Sequence, residues 1–130
     1  MQVKDIEIKK LIKDLEDNAF YGKDENTIYL YNNSNILELR GYIYEPCYES
    51  FSATHSIKLN EEILFARDSK NVEPYHNEEY VYGRFNTTEQ AIKFIEEYFG
   101  EQEIILQYDK PNVEIKNILN EDEFDDELEV

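Results

Sequence analysis

The sequence predicts an α+β fold, an antiparallel β-meander of about five to six strands with two helices packed on one face. Three observations predict it. An apolar stripe at helical spacing opens the chain. Runs with period-two alternation follow as far as residue 85. A capped amphipathic segment near residues 88–99 then supplies the second helix.

Val3, Ile6, Ile8, Leu11, Ile12 and Leu15 recur at helical spacing, with Lys9, Lys10, Lys13 and Asp14 elsewhere on the surface. Asp17 to Asn26 reads as a loop that turns at Gly22. Thr27 to Tyr31 is a strand, and Asn32 to Asn35 a turn, since Asn tolerates left-handed backbone and Ser bonds locally. Ile36 to Glu45 returns as the second strand of a hairpin and stops before Pro46, which has no N–H for the ladder. From Phe51 to Leu59 the odd positions are Phe, Ala, His, Ile and Leu and the even ones polar, a third strand. Asn60-Glu61-Glu62 turns into a fourth at Ile63 to Arg67. Asp68 to Asn77, with Pro74, reads as a polar loop, and Glu78 to Phe85 as a fifth strand.

Thr87-Thr88-Glu89-Gln90 fits a capping box, with Thr87 at the N-cap. Ala91, Ile92, Ile95, Tyr98 and Phe99 form the stripe behind it, and Gly100 stands where a helix-ending glycine belongs. Ile104 to Tyr108 reads as a further short strand and Asp109 to Asn112 as a turn. Val113 to Leu119 fits a strand or a helix. Seven of the nine residues from Glu121 to Glu129 are acidic. The organisation is therefore one domain over 1–120 and an acidic tail over 121–130.

Charge bounds the function. Thirty acids against 13 bases give a net of -17 on 130 residues. Solubility asks for a magnitude of roughly 2–8, and the excess adds self-repulsion. Such a field opposes binding to anionic lipid or to nucleic-acid phosphates. Eleven Tyr and seven Phe argue against disorder. Cys47 is the single cysteine, so no intramolecular disulfide forms, which fits a reducing cytosol. The opening residues alternate charged and apolar side chains, unlike a signal peptide, and no window approaches a membrane span. Richness in Asn, Ile, Lys, Glu and Tyr suggests AT-rich coding, as in low-GC bacteria and their phages. The expectation is a cytoplasmic protein.

Strand alternation sorts the side chains. Ile28, Leu30, Leu37, Leu39 and Ile43 point one way, and Tyr29, Tyr31, Glu38, Arg40, Tyr42 and Tyr44 the other. In the fifth strand Tyr80, Tyr82 and Arg84 oppose Val81 and Phe85. One face suits the helices. The other is tyrosine mixed with charge, either a solvated face of packed rings or a partner surface of the kind in which Tyr is enriched. The candidate partner-binding residues are Tyr29, Tyr31, Tyr42, Tyr44, Tyr80 and Tyr82. With them go Glu78 and Glu79, and Glu121, Asp122, Glu123, Asp125 and Asp126 of the tail. Carboxylates spread on a rigid scaffold can stand in for phosphates.

Chemistry finds less support. Cys47, His55 and His76 form no HxxxH, HExxH or CxxC pattern, so no zinc motif is present. His55 falls on the apolar side of its strand and reads as a buried, hydrogen-bonded residue, and His76 reads as an exposed loop residue. Four glycines build no phosphate-cradling loop, and the acidic run lacks the alternating ligands and central Gly of a calcium loop. The expectation is no enzyme, no cofactor and no metal.

In composition the chain is similar to phage-encoded DNA mimics and anti-CRISPR proteins: small, acidic, tyrosine-rich, single-domain and without catalytic residues. The similarity runs over the whole chain and is carried by no motif. It implies an inhibitor that occupies the Lys- and Arg-lined nucleic-acid site of a basic protein, such as a CRISPR nuclease, a restriction enzyme or a repair enzyme. The alternatives are an immunity protein that neutralises a cognate nuclease toxin, and an acidic accessory subunit.

Overall fold

The computed structural model describes residues 1–44, 52–73 and 76–112, with backbone alone for 69–73 and 76–78. A 3-10 turn at Val3–Asp5 leads into α1 (Ile8–Phe20). Then come β1 (Thr27–Tyr31), β2 (Ile36–Tyr44), β3 (Ser52–Leu59), β4 (Glu62–Glu73), β5 (His76–Tyr82), α2 (Thr88–Phe99) and β6 (Ile105–Gln107). The six strands form one antiparallel sheet in the order β5-β4-β3-β2-β1-β6. Both helices contribute to the one buried core on the aliphatic face, as the alternation predicts. No helix among the described residues is long and apolar enough to cross a membrane.

The core follows from the two periodicities. Ile8, Ile12 and Leu15 of α1 are buried, and so are Ile28, Leu30, Leu37, Leu39, Ile57 and Leu59 beneath the helices. Ala91, Ile95 and Phe99 of α2 complete it. Each large aliphatic residue sealed in this way contributes about 1.5–3 kcal/mol relative to exposure. Helix α1 lies directly on Gly41 of β2. A Cβ there would press on Glu16 N and Leu15 C, and would lie 2.5 Å from the Leu15 carbonyl oxygen. Glycine at this position lets a helix backbone touch the sheet.

The caps are those the sequence specifies, with one shift. Thr87 Oγ1 accepts from Gln90 N at 3.2 Å, while Gln90 Oε1 accepts from Asn86 N at 3.1 Å, one residue before the N-cap. Gly100, at φ 53°, closes α2 with its N–H on the Glu96 carbonyl at 3.0 Å. In the β1–β2 turn, Asn32 Oδ1 accepts from Ser34 N and Asn35 N at 2.8 and 2.9 Å. Asn35 Oδ1 in turn accepts from Tyr98 of α2 at 2.8 Å and from Asn60 Nδ2 at 2.7 Å.

Several boundaries differ from the sequence reading, and the opening helical stripe is split, with Ile6 extended between the 3-10 turn and α1. Helix α1 runs on to Phe20 instead of yielding to a loop at Asp17, with Lys13 and Asp17 paired across one turn at 3.1 Å. Strand β4 continues to Glu73 through the stretch read as a polar loop, because its ladder with β5 uses backbone groups and needs no apolar side chains. Strand β5 spans His76–Tyr82, two residues earlier at its start and three at its end. Because β5 stops at Tyr82, Arg84 leaves the tyrosine face. It makes a bidentate pair with Glu62 at 2.8 and 2.7 Å and stands 4.8 Å from the ring centre of Phe94 on α2. Residues 45–51 and 113–130, with Pro46, Cys47, the ambiguous segment and the acidic tail, lie outside the described residues.

The open tyrosine face as candidate interaction site

With the helices on one face, the pleat leaves the alternate residues on the other. Register orders them in rows. Gln107, Tyr29, Glu38 and Lys58 stand side by side on β6, β1, β2 and β3. Arg40, Ser56, Ala66 and Tyr82 form a second row from β2 to β5. Tyr42 faces Thr54, and Tyr80 faces Asp68.

The candidate tyrosines do not share one fate. Tyr80 and Tyr82 are 45% exposed, and Tyr29 and Tyr42 are half-buried. Tyr31 is 9% exposed, and its hydroxyl donates to Gln107 Oε1 at 2.9 Å, so it belongs to the β1–β6 seam more than to an open surface. Tyr44 donates to Glu79 Oε2 at 2.8 Å, and Arg67 Nε reaches that same oxygen at 3.1 Å. Glu79 is thus an internal brace between β2 and the β4–β5 ribbon. The side chain of Glu78, and Glu121, Asp122, Glu123, Asp125 and Asp126, lie outside the described residues.

Both half-buried phenols stay neutral near pH 7. Burial first, and Glu38 next, push the Tyr29 phenol above its ordinary value of 10.0, and Arg40 opposes the rise. Burial likewise pushes the Tyr42 phenol up. The Thr54 side chain and the Arg67 backbone at its hydroxyl oppose the rise, while Tyr82 and Asp68 add to it.

Part of the charge on the described surface is paired locally. On the open face Glu38 and Asp68 are balanced by Arg40 and Lys58. Elsewhere on the described surface many acids have a basic partner, among them Asp14 with Lys10, Glu89 with Lys9, Glu101 with Lys4 and Glu103 with the Met1 amine. Exposed pairs of this kind contribute at most about 1 kcal/mol each, but they cancel field locally. Of the 30 acids, eight fall in 113–130 against one base, so seven units of the -17 come from that segment.

A second constellation was not legible in the sequence. His55 of β3 bonds Glu16 Oε2 of α1 through Nδ1 at 2.8 Å and Thr88 Oγ1 of α2 through Nε2 at 2.7 Å. Hydroxyl, imidazole and carboxylate in this order match a nucleophilic relay. The surroundings argue for a brace. The His55 and Glu16 side chains are only 15% and 16% exposed, and the Phe65 ring lies 5.3 Å from the imidazole. Three described clefts, beside Arg40 and Tyr82, beside Met1 and Leu106, and beside Lys4 and Glu96, are lined by other residues. One imidazole ties both helices to the sheet. No group of three or more His, Cys, Asp or Glu placed to hold a metal occurs among the described residues.

The cleft on the open face was also missed. Arg40, Tyr42, Ser56, Asp68 and Tyr82 enclose about 310 Å³. Asp68 had read as the first residue of a loop. No local signal marks it, because Arg67-Asp68-Ser69-Lys70 is polar throughout and only the ladder with β5 extends β4 across it. Compared with family models, curated proteins and solved structures, the chain matches none.

Proposed function

We propose that this protein is a small inhibitor that docks through its open tyrosine face on a basic nucleic-acid-processing protein and blocks that protein's nucleic-acid site in the cytoplasm of a bacterial host. The observation that carries the reading is the sheet itself. One face packs against two helices, while the other presents Tyr29, Tyr42, Tyr80 and Tyr82, with Tyr42 and Tyr82 lining a cleft. Large amphipathic rings of this kind supply contact area at low entropy cost, as at binding hot spots. The acid-rich residues 121–129 supply the field that steers a basic partner and raises the association rate. The two roles divide cleanly: rings for contact, carboxylates for encounter.

The test is a tagged pull-down from host lysate, nuclease-treated and eluted with rising salt, with partners identified by mass spectrometry. A dominant basic nucleic-acid enzyme, released by salt and inhibited by the purified chain, is the expected result. A neutral partner that resists salt, or no specific partner, overturns the reading.

A further inference from the structure

Strand β5 is the outer strand of the sheet and is held differently from the rest. Among the described residues it ladders with β4 alone, and none of its described side chains belongs to the buried core. Its last three residues, Tyr80, Val81 and Tyr82, are each 45% exposed. Tyr80 and Tyr82 border the open tyrosine face, and Val81 stands on the opposite side. The strand therefore presents large side chains on both sides of its edge.

In an antiparallel pair, successive residues turn their N–H and C=O alternately toward the neighbouring strand and away from it. One of Val81 and Tyr82 therefore directs both groups outward. Among the described residues, neither backbone has a partner beyond β4. Such an edge is a template for another strand unless a charge, a proline or a bulge guards it. Here the guards lie toward the far end. The ladder shifts register between Asn71 and Glu73, and acids stand at 78 and 79. Residues 80–82 hold neither charge nor proline and are of types that favour strands. The opposite edge differs, because β6 has only three residues and Gln2 bridges Glu103 just before it.

Charge selects the occupant. Pairing β5 with β5 of a second copy would join two chains of net charge -17, with Glu78 and Glu79 of each in one short ribbon. A strand that carries Lys or Arg meets an attractive field instead.

We infer that the edge of β5 at residues 79–82 takes up an extended basic strand of the partner, which becomes a seventh strand of the sheet. The inference rests on the reading of the partner as a basic protein, and it names how that protein is gripped. Main-chain hydrogen bonds hold the added strand, and its alternate side chains meet the tyrosines on one side and Val81 on the other.

The test uses the full chain, isotope-labelled for NMR, titrated at physiological salt with the peptide acetyl-(Lys-Val)3-amide. The same peptide N-methylated at every residue is the control, since it keeps the charge and the side chains and loses the main-chain donors. Saturable shifts at Glu79, Val81 and Tyr82, with slowed hydrogen exchange at whichever of Val81 and Tyr82 faces outward, are expected with the first peptide and not with the second. Val81→Lys should weaken the response about threefold, because like charges then face each other across the new pair. Tyr82→Lys should weaken it as well and keeps the test available if Val81→Lys does not fold. Equal shifts with the N-methylated peptide, shifts confined to other residues, or no saturable shift overturns the proposal. A captured lysate partner that leaves exchange along β5 unchanged removes this edge alone. An edge that takes up the peptide while no basic partner is captured removes the inhibitor reading instead.

Discussion

Replacing Gly41 by alanine tests how closely α1 and the sheet are fitted. The added Cβ would lie 2.5 Å from the Leu15 carbonyl oxygen, and ordinary contact begins at 3.4 Å, so the helix must withdraw by about 0.9 Å. What obstructs the methyl group is helix backbone, which cannot swing aside as a side chain does. Overpacking of this kind costs about 1–3 kcal/mol, and rigid backbone places the site at the top of that range. Withdrawal also stretches the 2.8 Å bond from Glu16 to His55, the cross-strand neighbour of Gly41, which is worth about 1 kcal/mol more. Alanine recovers about 0.5–1 kcal/mol through its smaller entropy loss in a strand. The net is about 3 kcal/mol, a large part of the roughly 5–15 kcal/mol that holds a domain together. Urea unfolding followed by circular dichroism reads it directly: at a slope of ~1.5 kcal/mol/M the midpoint falls by about 2 M. Gly22→Ala is the control. Nothing lies within 4 Å of its Cβ and its φ is +72°, so it meets only the backbone penalty of positive φ, about 1–2 kcal/mol. A Gly41→Ala midpoint within about 0.3 M of the parent would refute the argument that the helix backbone rests on this residue.

Three further outcomes are expected. His55→Ala should destabilise by about 2–3 kcal/mol, since it strands Glu16 and Thr88 in a part-buried site. Thr88→Val should cost about 1 kcal/mol, and equal stability of both variants in urea would remove the brace. Glu103 is held below its ordinary 4.5 by the hydrogen bond from the Met1 amine and then by that amine's charge. A carboxyl with a lowered folded value stabilises above its unfolded value and loses that contribution as pH falls through the folded one. Protection of the Ile104 amide, which donates to the Met1 carbonyl at 2.8 Å, should therefore drop below pH 4.5 in the parent and show no such step in Glu103→Gln. Identical protection profiles would refute the tie. Removing residues 121–130 deletes seven acids. It should leave the urea midpoint unchanged and flatten the salt dependence of partner association. A parent-like salt slope would place the steering charge in the domain.

Periodicity made the core and most of the meander legible, because Ile8, Ile12 and Leu15, or Ile28 and Leu30, are buried for reasons that a local pattern expresses. Where the pattern failed, other forces set the structure. The last turn of α1 buries little, with Phe20 53% exposed, so no apolar stripe marked it. The far half of β4 is held by ladder bonds, and its polar side chains read as loop. The tyrosine face was legible as alternation, yet the sealing of Tyr31 depends on β6, which arrives 74 residues later at Ile105. Glu16, His55 and Thr88 are 39 and 33 residues apart, and no local pattern announces that they meet.

The strand order carries a consequence for how the chain reaches its native state. From β1 to β5 every spatial neighbour is also the next strand in sequence. Such a ribbon can zip hairpin by hairpin, each step closing a short loop and losing little entropy. The β1–β6 seam is different. It joins Tyr29–Tyr31 to Ile105–Gln107 and closes a loop that contains almost the whole domain. It holds three residue pairs and sits at an edge, so it is the natural last step of folding and the first to open in native-state exchange. The segment that leads to the acid-rich residues is therefore fastened by the least cooperative stitch in the sheet.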